Sequence, residues 1–405
     1  MKAGKMALDG CDHKTAYSYL GVALSLLPND HWSSHYDLSL RLYFLKSSAA
    51  NSICQYYEAE LFLRMTLEKA RCLDDQLPSY LLLSQILQAQ GNVNDVYDSC
   101  STVLTELGES IPVTYTLSES SEMLEETLKM YEEVGDKWLK GEKTVDKTLQ
   151  TTLQFYNVIV LASYFCKSYS MVAYFTCKAM QLSLQRGLCD HTPLALIQFT
   201  TVLNKDENAM LCYRIAKDAM SLRERFDVAA QIPELYFNFY GRIAWRFEPF
   251  QAGIDKLRQG FEAGLSSGHA DMGLHCAIQV IKTTILSGAN LSSILKEIDY
   301  YLHLLKTKSE VTRNFLRVFR KTVSLLIDNG EATSTAADPC IGVGDLNDQN
   351  RKLRDAVLQH SVIRCYWSGH NERCRNFGEK CKHLFGQGRQ STSYIAQFFF
   401  GKLQL

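Results

Sequence analysis

Proline is scarce in this chain, at 7 residues in 405. Because a proline inside a helix removes a hydrogen-bond donor and clashes with the preceding turn, its scarcity favours long uninterrupted helices over a loop-rich β protein. Charge of one sign is also missing. Lys and Arg number 43 against 44 Asp and Glu, a formal net charge of -1. No global field therefore steers the chain toward nucleic acid or an anionic membrane. Long apolar runs are absent too. The most apolar stretch, Tyr156 to Cys166, is interrupted by Asn157 and Ser163. A bilayer takes about 20 apolar residues, so this stretch reads as a buried helix and no membrane span is expected. The opening Met1-Lys2-Ala3-Gly4-Lys5 runs into a helical pattern without the apolar centre of a secretory leader. Cysteine is plentiful, at 13, but odd in number and scattered through helical patterns. Those thiols are read as reduced, in the cytosol or nucleus, and a cytoplasmic location follows.

What is present is globular composition: 46% hydrophobic, 21% charged and 11% aromatic, enough for a large core. The stretch from His31 to Gly108 states the unit that the rest repeats. Its periodicity predicts four helices in two hairpins: Trp32–Ile53 with Gln55–Leu73, and Pro78–Ala89 with Val93–Leu107. Asn51-Ser52 and Gly91-Asn92 supply the turns. Apolar residues recur three and four positions apart, as in Ala16, Leu20, Ala23 and Leu27, again in Ala59, Leu63, Leu67 and Ala70, and in Val96, Cys100, Val103 and Leu107. Each hairpin thus has one apolar face that it cannot bury alone, and such units stack in series.

Further signals extend the pattern. Thr116 and Glu119 are spaced for a capping box ahead of an acidic segment, with Leu124, Leu128 and Tyr131 on its buried face and its carboxylates on a solvated one. Gly187 is placed as a helix C-cap, and Pro193 opens another helix. Paired helices continue to Asp328, with comparable helices about 35–40 residues apart. The expected fold is all-α, an α-solenoid of stacked antiparallel helix pairs, tetratricopeptide-like. Its expected parts are a helical-repeat array over 1–328, a flexible linker at 329–347 and a further helical pair at 348–405. The first helix lacks a polar cap, and the apolar Tyr394–Phe400 comes at the end. Both ends are therefore expected to be cut from a longer array.

No constellation that does chemistry is found. His370, Cys374, Cys381 and His383 suggest zinc at first glance. However, His370, Cys374, Phe377, Cys381 and Leu384 fall at helical spacing, a core seam, and the short Cys-x-x-Cys pair of structural zinc sites is missing. The basic residues of the same segment, from Arg351 to Arg389, with Tyr366 and Trp367 between them, could meet phosphates and bases; a solvated helix face is the simpler reading. Gly386-Gln387-Gly388 and Gly342-Val343-Gly344 lack the Lys-Ser/Thr of a nucleotide loop. No nucleophile elbow occurs. Cys54, Cys72 and Cys212 read as structural thiols within helices, and His31 and His35, which flank Trp32, as capping or packing groups. No catalytic, cofactor-binding or metal-binding residue is assigned, and no cofactor is expected.

Three segments carry a family resemblance: Asp30 to Leu40 (DHWSSHYDLSL), Glu68 to Asp75 (EKARCLDD) and Met171 to Thr176 (MVAYFT). They resemble the long helical region that follows the ATPase module in large predictive-ATPase signalling proteins. There, an AAA-type or STAND-type ATPase precedes tetratricopeptide-like repeats, with kinase, histidine kinase or nucleotide cyclase domains in some members. The resemblance covers most of 1–328, and that family's nucleotide-binding residues have no counterpart here. It implies a non-catalytic interaction or regulatory module. Its partner would be a protein or peptide on the concave surface, or an ATPase domain in the same longer chain. A pentatricopeptide-like RNA reader is the alternative; the charge balance makes nucleic acid the weaker expectation, since such arrays need a basic groove.

Overall fold

A helix hairpin hides half of its apolar surface in its own seam and leaves the rest for a neighbour. The computed structural model shows this rule applied along the chain. It describes residues 1–10, 12–203, 207–226, 228–267, 270–304, 310–327, 351–367 and 369–382, and no strand occurs among them. The chain divides into two compact units, one built on Met1–Leu235 and the other on Tyr236–Gly264 with the chain from Ala270 onward.

In the first unit the helices are α1 (Lys2–Asp9), α2 (His13–Ser25), α3 (His31–Ser34), α4 (Tyr36–Ser52), α5 (Tyr56–Lys69), α6 (Leu73–Gln90) and α7 (Val93–Glu106). They continue with α8 (Leu117–Leu139), α9 (Lys147–Cys166), α10 (Tyr169–Arg186), α11 (Thr192–Phe199) and α12 (Ala209–Arg225), and α13 (Ile232–Asn238) runs across the division between the units. Apart from the one-turn α3, which lies on α4, consecutive helices pack on one another from α1 to α7 and from α9 to α12. This is the stacked antiparallel arrangement of an α-solenoid. One exchange interrupts it: α7 packs on α9, and α8 on α10. The connection between α7 and α8 makes this possible, because it is pinned by tyrosines from the next pair. Tyr156 Oη donates to Glu109 at 2.9 Å, Tyr174 Oη donates to the Ser110 carbonyl, and Tyr115 meets Tyr174 edge to face.

The stripes read from the sequence are the core. Ala16, Leu20, Ala59, Leu63, Val96, Cys100 and Val103 are fully buried. The Thr116–Glu119 capping box forms with both of its hydrogen bonds, and Gly91 closes α6 in the left-handed region at φ 83°. Gly187 ends α10, and Pro193 lies in the first turn of α11. A charge sits inside the first core as well. Lys46 is buried, donates to the Tyr17 carbonyl at 3.0 Å and lies over the Tyr17 ring.

Some expectations are corrected. Trp32–Ile53 is not one helix; it breaks at His35, whose φ is -137°. Ser39 Oγ contacts the carbonyls of His31 and His35, and the His31 ring, within 3.1 Å, so a side chain competes for the local backbone there. Helix α6 begins at Leu73 and carries Pro78 inside it. Cys54 lies in a turn with φ 63°, and Cys72 is the exposed N-cap of α6, so only Cys212 of those three is a buried helical thiol.

The second unit holds α14 (Phe250–Ser266), α15 (Ala270–Leu286), α16 (Leu291–Leu304), α17 (Glu310–Ile327), α18 (Arg351–Trp367) and α19 (Asn371–Lys382), and neighbours from α15 to α19 pack in order. The stretch 232–247 is not one α-helix: it passes from α13 into a π-helical turn at Phe239–Ile243 and a 3-10 turn at Ala244–Arg246. Gln279 Nε2 donates to the Gly241 carbonyl at 3.0 Å, an external donor at the point where the ladder widens. A Cβ at Gly241 would stand 2.7 Å from Gln279 Cγ, so only glycine admits that donor. On α19, Cys374 and Phe377 are buried as a seam requires, while His370 is exposed. The linker at 329–347, His383 and Tyr394–Phe400 lie outside the described residues, as does the side chain of Cys381.

Neighbouring leucines on α5 test the stack. Leu63 is fully buried and Leu61 is half exposed. Leu63→Ala is expected to lower unfolding stability by about 2–5 kcal/mol, and Leu61→Ala by less than about 0.5 kcal/mol, in parallel denaturant melts.

Candidate functional site

The first unit gathers buried polar side chains between α9 and α13. Asn157, on α9, and Gln198, on α11, are 5% and 2% exposed. Polar groups at that depth must find partners, and here they bridge successive helices. Asn157 Nδ2 donates to the His191 carbonyl at 3.3 Å, and Gln198 Nε2 to the Asn157 carbonyl at 3.1 Å. Gln198 Nε2 also donates to Glu234 Oε1 at 2.8 Å. Gln231 Nε2 donates to the Asp190 carbonyl at 2.9 Å and lies 3.2 Å from His191 Nδ1. Lys143 closes the outer end with an ion pair to Asp190 at 2.6 Å, beside a strand-like bridge between Lys143 and Leu188.

The result is a ladder of side chains that tie the backbone of one helix to the side chain of the next. Burial sets its electrostatics. It pushes the Glu234 carboxyl up to about 7, against the hydrogen bond from Gln198, which favours the ionised form. It pulls the His191 imidazole down to about 4, opposed by the nearby Asp190 carboxylate. Near neutral pH His191 is therefore an uncharged acceptor at Nδ1. Among the described residues, Asn157 Oδ1 and Gln198 Oε1 find no donor. An unmet buried acceptor costs about 1–3 kcal/mol, so the ladder is not arranged for stability alone.

A shifted carboxyl and a shifted imidazole are the usual marks of a chemical site. Among the described residues, the thiol and hydroxyl beside them are not set up as nucleophiles. The nearby thiol, Cys189, is fully buried and its acidity is suppressed by that burial. Thr192 Oγ1 is spent as an acceptor for the Cys189 N–H at 2.9 Å. No group of three or more His, Cys, Asp or Glu able to hold a metal ion occurs among the described residues. The geometry ties successive helices to one another.

The sequence reading assigned no site residues, and it passed over this ladder because its members are single amides in apolar helices. One signal could have found it: Asn157 interrupts the most apolar run in the chain. Among the residues weighed in the sequence, two take structural places. His31 stacks on Tyr43, and the Thr116 segment is a cap. The carboxylates of α8 are solvated, with Glu132 paired to Arg214.

A second feature lies on the outside. Tyr19, Val22 and Leu26 are exposed at helical spacing on and just after α2, and Tyr57 and Leu61 are exposed on α5. Leu26 and Tyr57 are each 79% exposed. The Tyr17–Glu58 hydrogen bond joins these two helices directly, so the apolar side chains belong to adjacent elements. No described helix is long and apolar enough to cross a membrane.

Comparisons with known proteins add little to this geometry. No protein-family model matches the chain, and no curated protein matches it. Among solved structures, the chain is similar to the TPR domain of P58(IPK) at 12% identity, over 96% of this chain and 98% of that one, with a TM-score of 0.21. A likeness at that score carries no argument, and the repeat architecture rests on the helix packing described above.

The raised carboxyl makes a directional prediction. A carboxyl that is less acidic folded than unfolded stabilises the fold at low pH, and this contribution is lost as pH rises from the ordinary carboxylate range through about 7. Glu234→Gln keeps an acceptor for Gln198. It is expected to match the wild type near pH 4 and to exceed it by about 1–3 kcal/mol at pH 8, read from denaturant melts across that range.

Proposed function

We propose that this chain is a non-catalytic helical-repeat module that binds a protein partner and acts in the cytoplasm. The observation that carries the reading is the exposed apolar set on α2 and α5, beside helices whose other faces are committed to the core. Apolar side chains exposed on adjacent helices of a packed array suit a partner that brings an apolar segment of its own. In a tetratricopeptide-like array the extended concave surface is where such a segment lies. The family resemblance in 30–40, 68–75 and 171–176 adds a more specific form of the proposal. The partner would then be a signalling ATPase domain in the same longer chain, held inactive until a ligand that prefers one state shifts the balance.

The test pairs partner capture with a folding control. Val22→Glu combined with Tyr57→Ala is expected to remove specific partners from affinity enrichment in cells while leaving the thermal melt unchanged, since both positions are exposed. Retention of every partner by this variant, with its fold intact, would falsify the assignment of that face. Purified wild type is expected to turn over no ATP. It is also expected to show no salt-sensitive binding to labelled RNA when low and high salt are compared. RNA binding that weakened steeply with salt would favour the nucleic-acid alternative instead.

A further inference from the structure

The turns between α13 and α14 use unusual backbone to place aromatic side chains. Tyr240 lies in the π-helical turn, Trp245 in the 3-10 turn after it, and Phe250 at the start of α14. All three belong to the second unit. Tyr240 meets Tyr236 and Phe239 edge to face at 5.4 and 4.8 Å. Trp245 Nε1 donates to the Arg242 carbonyl at 3.2 Å. A Cβ at Gly253, one turn into α14, would stand 3.2 Å from Tyr240 Cβ, so glycine there lets the tyrosine settle against that helix. A π-helical turn is a rare local form that recurs at functional sites.

The three rings line a small open pocket of about 190 Å³, solvent-facing space included, with Glu248 and Gly253 beside them and Thr283 from α15. The Trp245 and Phe250 planes are 7° from parallel, with 6.4 Å between centroids, the wide end of aromatic pairing. The residues around the pocket include one carboxylate, Glu248, and no basic side chain. Trp245 already draws a cation: the Arg246 guanidinium, which is not part of the lining, lies 5.3 Å from its ring. Pockets for whole small molecules run to roughly 300–1,000 Å³, so this one suits a side-chain tip.

We propose that this pocket binds the N-methylated ammonium of a lysine side chain on a partner protein. Aromatic π-systems and a carboxylate attract positive charge, and a methylated ammonium gives up its water more readily than a bare one. An anion would meet the Glu248 charge and the electron-rich rings instead. The flexible four-carbon stem of lysine carries such a head into a pocket at the surface. The site lies in the second unit, so this inference stands or falls apart from the α2 and α5 face proposed for the first.

The experiment titrates the full chain with one short peptide whose central lysine is unmodified, Nε-dimethylated or Nε-acetylated. Saturation-transfer NMR at the side-chain tip protons reads each affinity. The dimethylated form is expected to bind about tenfold more tightly than the unmodified one, and the neutral acetylated form is expected not to saturate. Trp245→Leu keeps apolar bulk without the π-system and should weaken the dimethylated peptide about tenfold; Glu248→Gln keeps shape without the charge and should weaken it several-fold. Thermal melts of both variants serve as the folding control. Absence of transfer from the wild type overturns the proposal, and so does acetylated peptide that binds as well as dimethylated. Undiminished binding by a folded Trp245→Leu also overturns it, and if that variant does not fold, undiminished binding by Glu248→Gln does so in its place. Dimethylammonium chloride is expected to bind more weakly than the dimethylated peptide; equal affinity would overturn the assignment to a protein side chain.

Discussion

The apolar face left over by one helix pair must be covered by the next, and this constraint governs the rest of the first unit. Leu63 of α5 and Val96, Cys100 and Val103 of α7 share one continuous core with Leu149, Leu153 and Tyr156 of α9. No pair could hold its buried set in water on its own. Dispersion and hydrophobic burial act between neighbours, so stability in such a stack is a sum of short-range terms. The exchange in which α7 meets α9, and α8 meets α10, obeys the same constraint. The order of helices yields locally where tyrosines from the following pair can pin the connection.

Polar side chains then fix what apolar packing leaves loose. Apolar faces slide easily past one another, whereas a hydrogen bond between a named amide and a named carbonyl does not. Asn157 and Gln198 tie α9 to the loop before α11 and to α13, and Lys46 ties α4 to α2. The widened turn at Phe239–Ile243, held open by Gln279, is the corresponding device in the second unit. Each of these groups costs free energy to bury and returns specificity of register, a use of buried polar groups known from other helical assemblies. The same physics leaves the apolar set on α2 and α5 exposed, since no buried face of a neighbouring helix covers Leu26 or Tyr57.

Much of the fold was legible in the sequence because helices are local objects. The i, i+3, i+4 stripes, the Thr116–Glu119 box and Gly91 each depend on residues within one or two turns, and all of them hold. The break at His35 is a local competition from Ser39, four residues on, that periodicity does not register. A second failure came where a distant contact decides: the π-helical turn depends on Gln279, which is 38 residues away from Gly241. The candidate ladder was illegible for the same reason: lone amides such as Asn157 and Gln198 gain meaning only when separate helices bring them together. The burial of Arg364 was likewise hidden within a segment whose charge looked like a solvated helix face.

Native-state hydrogen exchange of Leu63→Ala against the wild type tests the central claim most directly, because it reads stability helix by helix. If stability is a sum of neighbour contacts, protection should fall most in α4 to α7 and progressively less toward α12. An equal loss at every amide from α1 to α12 would contradict the account, since it would make the first unit one indivisible cooperative block rather than a stack of helix pairs.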